Sequence, residues 1–172
     1  MLNRPSADEY GAHFGTYIAL APDGDLQQHL LTARSQTAEL FTSLTEEQAA
    51  YRYAEGKWSV KEVLGHIADT ERVMSYRLLR IARGDQTPLP GFDENTFVAG
   101  ASFDDRTVAE LVEDYEAVRG ATLSLLRGLS PGAFLRKGTA SNTGITARAL
   151  AYVIAGHELH HLNVVRERYL NR

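Results

Sequence analysis

The sequence predicts an all-α protein, a four-helix bundle, on three observations. Four segments place apolar residues at alternating three- and four-residue spacings, as one packed helix face does. Serine or threonine followed three residues later by glutamate opens two of them, and glycine marks the end of two. Nothing between them alternates as a half-buried strand would. With 172 residues, 44% apolar and 23% charged, the chain is long enough to bury a core and reads as one domain over residues 1–172.

The first helix is expected near 25–44, with Leu26, Leu30, Ala33, Thr37, Leu40 and Leu44 on its seam. The second, near 59–84, carries Val60, Leu64, Ile67, Glu71, Met74, Leu78 and Ile81; Ser59 with Glu62 caps its start and Gly84 its end. The third, near 105–129, carries Val108, Leu111, Tyr115, Val118, Thr122, Leu125 and Leu129, capped by Thr107 with Glu110. The fourth, near 144–170, reads Ala147, Leu150, Ile154, His157, His161, Val164 and Arg168. Between the second and third lie about 20 residues, Asp85 to Asp104, with Pro88, Pro90, Gly91 and Gly100. Extended at up to ~3.3 Å per residue, that stretch can run the length of helices rising ~1.5 Å per residue, so the second and third helices can be parallel.

Composition narrows the function. A net charge of -4 and the lack of a basic motif argue against a general nucleic-acid or anionic-membrane binder. No apolar run approaches ~20 residues and the N-terminus has no signal-like apolar core, so a cytoplasmic protein is expected. Cysteine is absent, which fits that compartment and removes thiolate ligands and a cysteine nucleophile. Histidine and carboxylate must carry any metal.

The most informative stretch is Gly156-His157-Glu158-Leu159-His160-His161, which holds three of the six histidines. His157 and His161 are four residues apart, so on a helix they point within about 40° of each other and can grip one ion. Both fall on the apolar seam, where an unligated pair would be costly to bury. The run also matches His-Glu-x-x-His, in which Glu158 would serve a zinc peptidase as general base. A peptidase is disfavoured: no third ligand follows downstream and no sheet is expected to hold a peptide. A third ligand must come from upstream, and His66 on the second seam's flank, between small Gly65 and Ala68, is the best placed. His13 and His29 are weaker candidates. His160 and Glu158 lie about 80° off the bisector of the pair, a phase that suits neither as a ligand. Glu71 reads either as a buried acid paired with arginine or tyrosine, which is preferred, or as a carboxylate beside the metal. Arg168 reads as a snorkelling residue at the helix end.

Trp58-Ser59-Val60 with Gly65-His66-Ile67-Ala68-Asp69, followed by the 156–161 run, resembles the DinB/YfiT-like family of metalloenzymes, its bacillithiol-transferase branch most of all. Arg4-Pro5, Glu9-Tyr10, Tyr17-Ile18, the turn Pro22-Asp23-Gly24-Asp25 and Pro90-Gly91-Phe92-Asp93-Glu94 extend the likeness over nearly the whole chain. The resemblance implies an up-down-down-up bundle and one divalent ion, zinc or nickel, on three histidines that fall here on His66, His157 and His161. It implies transfer of a low-molecular-weight thiol, of the bacillithiol or mycothiol type, to an electrophile. A metal-dependent hydrolase of a small ester or amide and a non-catalytic, metal-binding stress-response module are the alternatives. Phe92, Asp93 and Phe97 of the crossover are expected to line a cleft beside the metal, unless the crossover is only a strap over the core. Asp69, Glu71 and Glu158 are candidates for moving a proton. A homodimer is expected from the resemblance and from Leu79, Val112 and Leu126, which lie outside the main seams.

Overall fold

Ser59 Oγ accepts a hydrogen bond from Glu62 N at 3.0 Å, and the Glu62 carboxylate accepts one from Ser59 N at 2.7 Å. Thr107 and Glu110 make the same reciprocal pair, so both expected caps form. The computed structural model describes residues 2–171. In chain order its helices are α1 (Gly15–Leu20), α2 (Leu26–Thr42), α3 (Glu46–Ala49), α4 (Val60–Ala82), α5 (Glu94–Gly100), α6 (Val108–Arg127), α7 (Pro131–Phe134) and α8 (Ala147–Val164). The long helices α2, α4, α6 and α8 make the bundle, within a few residues of the expected bounds.

Side-chain pairings give the directions. Lys61 Nζ donates to Arg106 O, Glu71 pairs with Arg119, and Leu79 and Leu125 line one groove. Contacts therefore advance together along α4 and α6, which run parallel. Along α4 and α8 they run in opposition: His66 meets His157 and His161, and the Trp58 carbonyl accepts from Tyr169 Oη. Along α2 and α6 they also oppose, from Leu30 with Arg119 to Thr37 near Tyr115 through Glu158. The bundle is up-down-down-up, an arrangement that the long crossover permits.

A two-stranded hairpin departs from the expectation of no strands. Strands β1 (Lys137–Ala140) and β2 (Thr143–Thr146) pair antiparallel through Ser141 and Asn142, whose φ values are 50° and 62°. Two consecutive left-handed residues make the tight connection that fits the strand twist. Each strand has four residues and one glycine, so alternation has almost no length in which to show. The crossover joins this hairpin: Leu89 N donates to Thr139 O, and Ser141 N to Leu89 O. It then forms α5 and a short turn that buries Phe103 against Gly65, where a methyl group would overlap the ring.

The leader preceding α2 shapes α8. The backbone of α1 crosses α8 at Gly156, where a methyl group would overlap the Tyr17 carbonyl. With the leader on one face and α4 on another, residues 149–158 are buried all round. The expected single seam is therefore corrected. Beyond His157 the buried edge runs Glu158, Leu162, Val165 and Tyr169, while Arg168 is exposed and Val164 half-buried. Residues 165–170 wind as a π-helix. Val112 and Leu126 also turn out to be core residues, and only Leu79 of that trio is exposed. Among the described residues no helix is long and apolar enough to cross a membrane.

The core is two apolar clusters stacked along the bundle. One gathers Leu26, Leu30, Met74, Leu78, Leu123 and the first half of α8; the other gathers Phe41, Leu64, Ile67, Leu111, Tyr115, Leu162 and Tyr169. Between them lies a polar layer containing Thr37, Thr70, Glu71, Arg119, His157 and Glu158. The candidate site is at this level.

Candidate metal centre

His66 on α4 and His157 and His161 on α8 bring their Nε2 atoms together. Those of His157 and His161 lie 3.0 Å and 3.1 Å from that of His66. His66 and His157 are buried and His161 half-buried, and one donor atom from each lies within 4.8 Å of the others. The antiparallel packing of α4 on α8 sets this arrangement, and Gly65 lets the surrounding chain close in. Thr70 Oγ1, one turn after His66, lies 3.5 Å from its Nδ1 and leaves Nε2 facing the other two rings.

Burial first, then the charge of His160, pushes the His66 imidazole down to about 4. His161 falls to about 3 through burial and then His66 and His160, and His157 falls well below the ordinary value for the same reasons. All three are neutral at pH 7, the form that ligates. One imidazole nitrogen carries either a proton or a lone pair, so His66 Nε2 cannot satisfy both neighbours with linear hydrogen bonds. A divalent cation can satisfy all three. His66, His157 and His161 would hold such an ion through three neutral imidazoles, which would leave its charge intact as a Lewis acid. The donor set fits the ion.

The surroundings correct several expectations. Glu158, adjacent to His157 in sequence, faces elsewhere: its carboxylate accepts from Thr37 Oγ1 at 2.8 Å, from Arg119 at 2.9 Å and from Tyr115 Oη. It cannot act as the base of a zinc peptidase here. Glu71 is the arginine-paired acid of the preferred reading, with Arg119 atoms at 2.7–3.1 Å. Asp69 pairs with Arg72. None of the three proposed proton carriers lines the cavity. Burial opposes charge on Arg119, but Glu71 and Glu158 outweigh it and hold the guanidinium ionised.

A cavity of about 390 Å³ opens beside the imidazoles. Phe92 lines it as expected. Asp93 instead caps α5, accepting from Thr96 N at 2.7 Å, and Phe97 packs on Phe92 with its ring exposed. Tyr17, Trp58, Thr70, Met74, Arg77 and Glu94, none of them expected there from the sequence, also line it. A signal for three of them was available, since Thr70, Met74 and Arg77 follow His66 at four, eight and eleven residues, on one helix face. The Trp58 ring lies tilted 4.7 Å from that of His66, and the Tyr17 ring packs edge-on 5.3 Å from that of His157, centroid to centroid. His160 is exposed and lines the cavity without joining the three nitrogens. His13 also lines it, against Phe14, while His29 lies elsewhere and bonds the Asp23 carbonyl.

The family model described as the DinB superfamily matches residues 29–165. The chain belongs to the DinB superfamily. Two solved DinB-like structures share its fold. YfiT from Bacillus subtilis, described provisionally as a metal-dependent hydrolase with an unusual four-helix bundle topology, has a TM-score of 0.70 and 20% identity. That match covers 96% of this chain and 90% of YfiT. YjoA from Bacillus subtilis, a DinB-like protein, has a TM-score of 0.60 and 21% identity over 86% of this chain and 91% of its own. A provisionally named metal-dependent hydrolase of Oceanobacillus iheyensis is 34% identical over 64 residues. That alignment spans 37% of this DinB chain and 36% of the relative.

Proposed function

We propose that His66, His157 and His161 hold one divalent cation, zinc or nickel, and that this DinB protein is an enzyme moving a low-molecular-weight thiol onto an electrophile. The supporting observation is the set of carboxylates around the imidazoles. Glu71 and Glu158 are bound to Arg119 and Asp69 to Arg72, and the cavity's own acid, Glu94, is exposed. Bound there, a divalent cation supplies Lewis acidity, lowering the pKa of a coordinated thiol or water. A thiol starts near ~8.5 and water near ~15.7, so the thiol needs far less help from a positioned base. With no cysteine in the chain, the thiol enters as a substrate.

The residues divide the remaining work. Trp58, Tyr17 and Phe92 give the cavity apolar and aromatic walls beside the imidazoles. His160, exposed on the cavity wall, is placed to pass the released proton to solvent. Thiol and electrophile are the partners of this reading, which takes the protein as cytoplasmic and homodimeric and involves neither nucleic acid nor a membrane.

The names of YfiT and the Oceanobacillus relative favour a second reading, metal-dependent hydrolysis of a small ester or amide. Assays with a generic electrophile, with and without added thiol, and with an ester panel separate the two. Transfer that needs thiol and metal together and vanishes in His66→Ala supports the first. Ester hydrolysis without thiol, lost in the same variant, supports the second. Neither activity in fully metallated protein would leave a non-catalytic metal-binding stress-response module.

A further inference from the structure

Among the described residues, two arginines are almost wholly buried. Arg119 has two carboxylates, Glu71 and Glu158. Arg77, 2% exposed, has none. Its guanidinium donates to Pro90 O at 2.6 Å, approaches Met74 Sδ at 3.6 Å and lies 5.7 Å from the centre of the Phe92 ring. These are neutral groups, and Arg77 lines the same cavity as the imidazoles. Glu94, the carboxylate that also lines it, makes no ion pair with Arg77. A buried cation without an anion is unfavourable, and an entering anion would offset that cost. Burial alone lowers the Arg77 pKa, with no opposing charge acting on it.

Position adds to this. Arg77 follows His66 by eleven residues on α4, about three turns, so both project from nearly the same face and their Cα atoms lie ~16 Å apart along the axis. Helical side chains lean toward the N-terminus, which carries the guanidinium back toward the imidazoles. One small molecule can span the two.

We propose that Arg77 is an anion-recognition subsite, and that the ligand of this cavity carries a carboxylate or similar oxyanion remote from the group that meets the three histidines. A planar guanidinium prefers such oxyanions because it can bind them through two parallel hydrogen bonds. The inference deepens the proposed function by assigning the substrate an anionic end, yet it needs neither the ion nor the thiol chemistry.

The test therefore uses full-length protein stripped of metal by a chelator. Succinate is titrated while the arginine Nε–Hε resonances are followed by NMR, with succinamide as the uncharged counterpart. The Arg77 resonance should shift saturably with succinate and not with succinamide. Arg77→Gln should weaken succinate binding at least about tenfold, and Arg77→Lys less, as expected for loss of one charge-assisted contact. Should Arg77→Gln fail to fold, the wild-type Arg77 resonance still reports. An unmoved resonance, equal responses to both compounds, or unchanged succinate affinity in folded Arg77→Gln would overturn the proposal and leave Arg77 as a clamp on Pro90. Because metal is absent, failure here is separable from failure of the three histidines to bind an ion.

Discussion

Glu158 follows His157 in the chain, yet its carboxylate lies 2.9 Å from Arg119 and takes no part in the cavity that His157 faces. Successive residues on a helix diverge by about 100°, so α8 presents imidazoles to α4 and a carboxylate to the polar layer around Arg119. Arg119 also binds Glu71 and the Leu30 carbonyl, tying α2, α4, α6 and α8 together at one level.

Removing that hub should be costly. Arg119→Met leaves two buried carboxylates without a cation, and breaking a buried pair of this kind costs about 3–5 kcal/mol. Urea unfolding should show a loss of that order; a change below about 1 kcal/mol would mean the layer relaxes without its arginine.

Metal content distinguishes the histidines. His157→Ala and His161→Ala should lose stoichiometric zinc or nickel by elemental analysis, whereas His160→Ala and Glu158→Gln should keep it. Full retention in the His157 variant would exclude the three-nitrogen site. Since the ring of the single tryptophan, Trp58, packs 4.7 Å from that of His66, its fluorescence should report metal addition in wild type and not in the His66→Ala protein.

Gly156→Ala tests the leader. Helix propensity alone favours alanine by about 1 kcal/mol, but the added methyl overlaps the Tyr17 carbonyl, and overpacking of this kind costs about 1–3 kcal/mol. The clash is with backbone, so the penalty should win and Tm should fall. A raised Tm would show that α1 can move aside freely.

Acid should loosen the same leader. Burial pushes the Glu9 carboxyl up, but hydrogen bonds from Arg148, Ser6 and Thr146 outweigh it and hold it at about 2. The unfolded value is 4.5, so folding keeps this group deprotonated. Its contribution is present above that value and is lost as pH falls from about 4.5 through about 2. Glu9→Gln should destabilise the protein at pH 7 by about 1–3 kcal/mol, with the gap from wild type closing across that window. A constant gap would place the effect elsewhere.

Much of this was legible along the chain. Ser59 with Glu62 and Thr107 with Glu110 announce their helices because a cap is a contact over three residues. The length of the 85–104 crossover allows α4 and α6 to be parallel, and the four-residue spacing of His157 and His161 puts two imidazoles side by side whatever they pack against. The hairpin at Ser141 and Asn142 was not legible, being too short for a period. Nor was the route of the leader across Gly156, which buries α8 on every side and shifts its inner edge to Leu162, Val165 and Tyr169.

The sequence by itself determined the helices, their order and the histidine pair, since these depend on residues within a few turns of one another. Only the tertiary structure decided which acid serves which partner. Glu71, Glu158 and Asp69 are equivalent as letters near a histidine motif, but an ion pair forms between side chains that packing brings together. Here Arg119, distant in the chain, claims two of them, and Arg77 is left facing the cavity with no acid of its own.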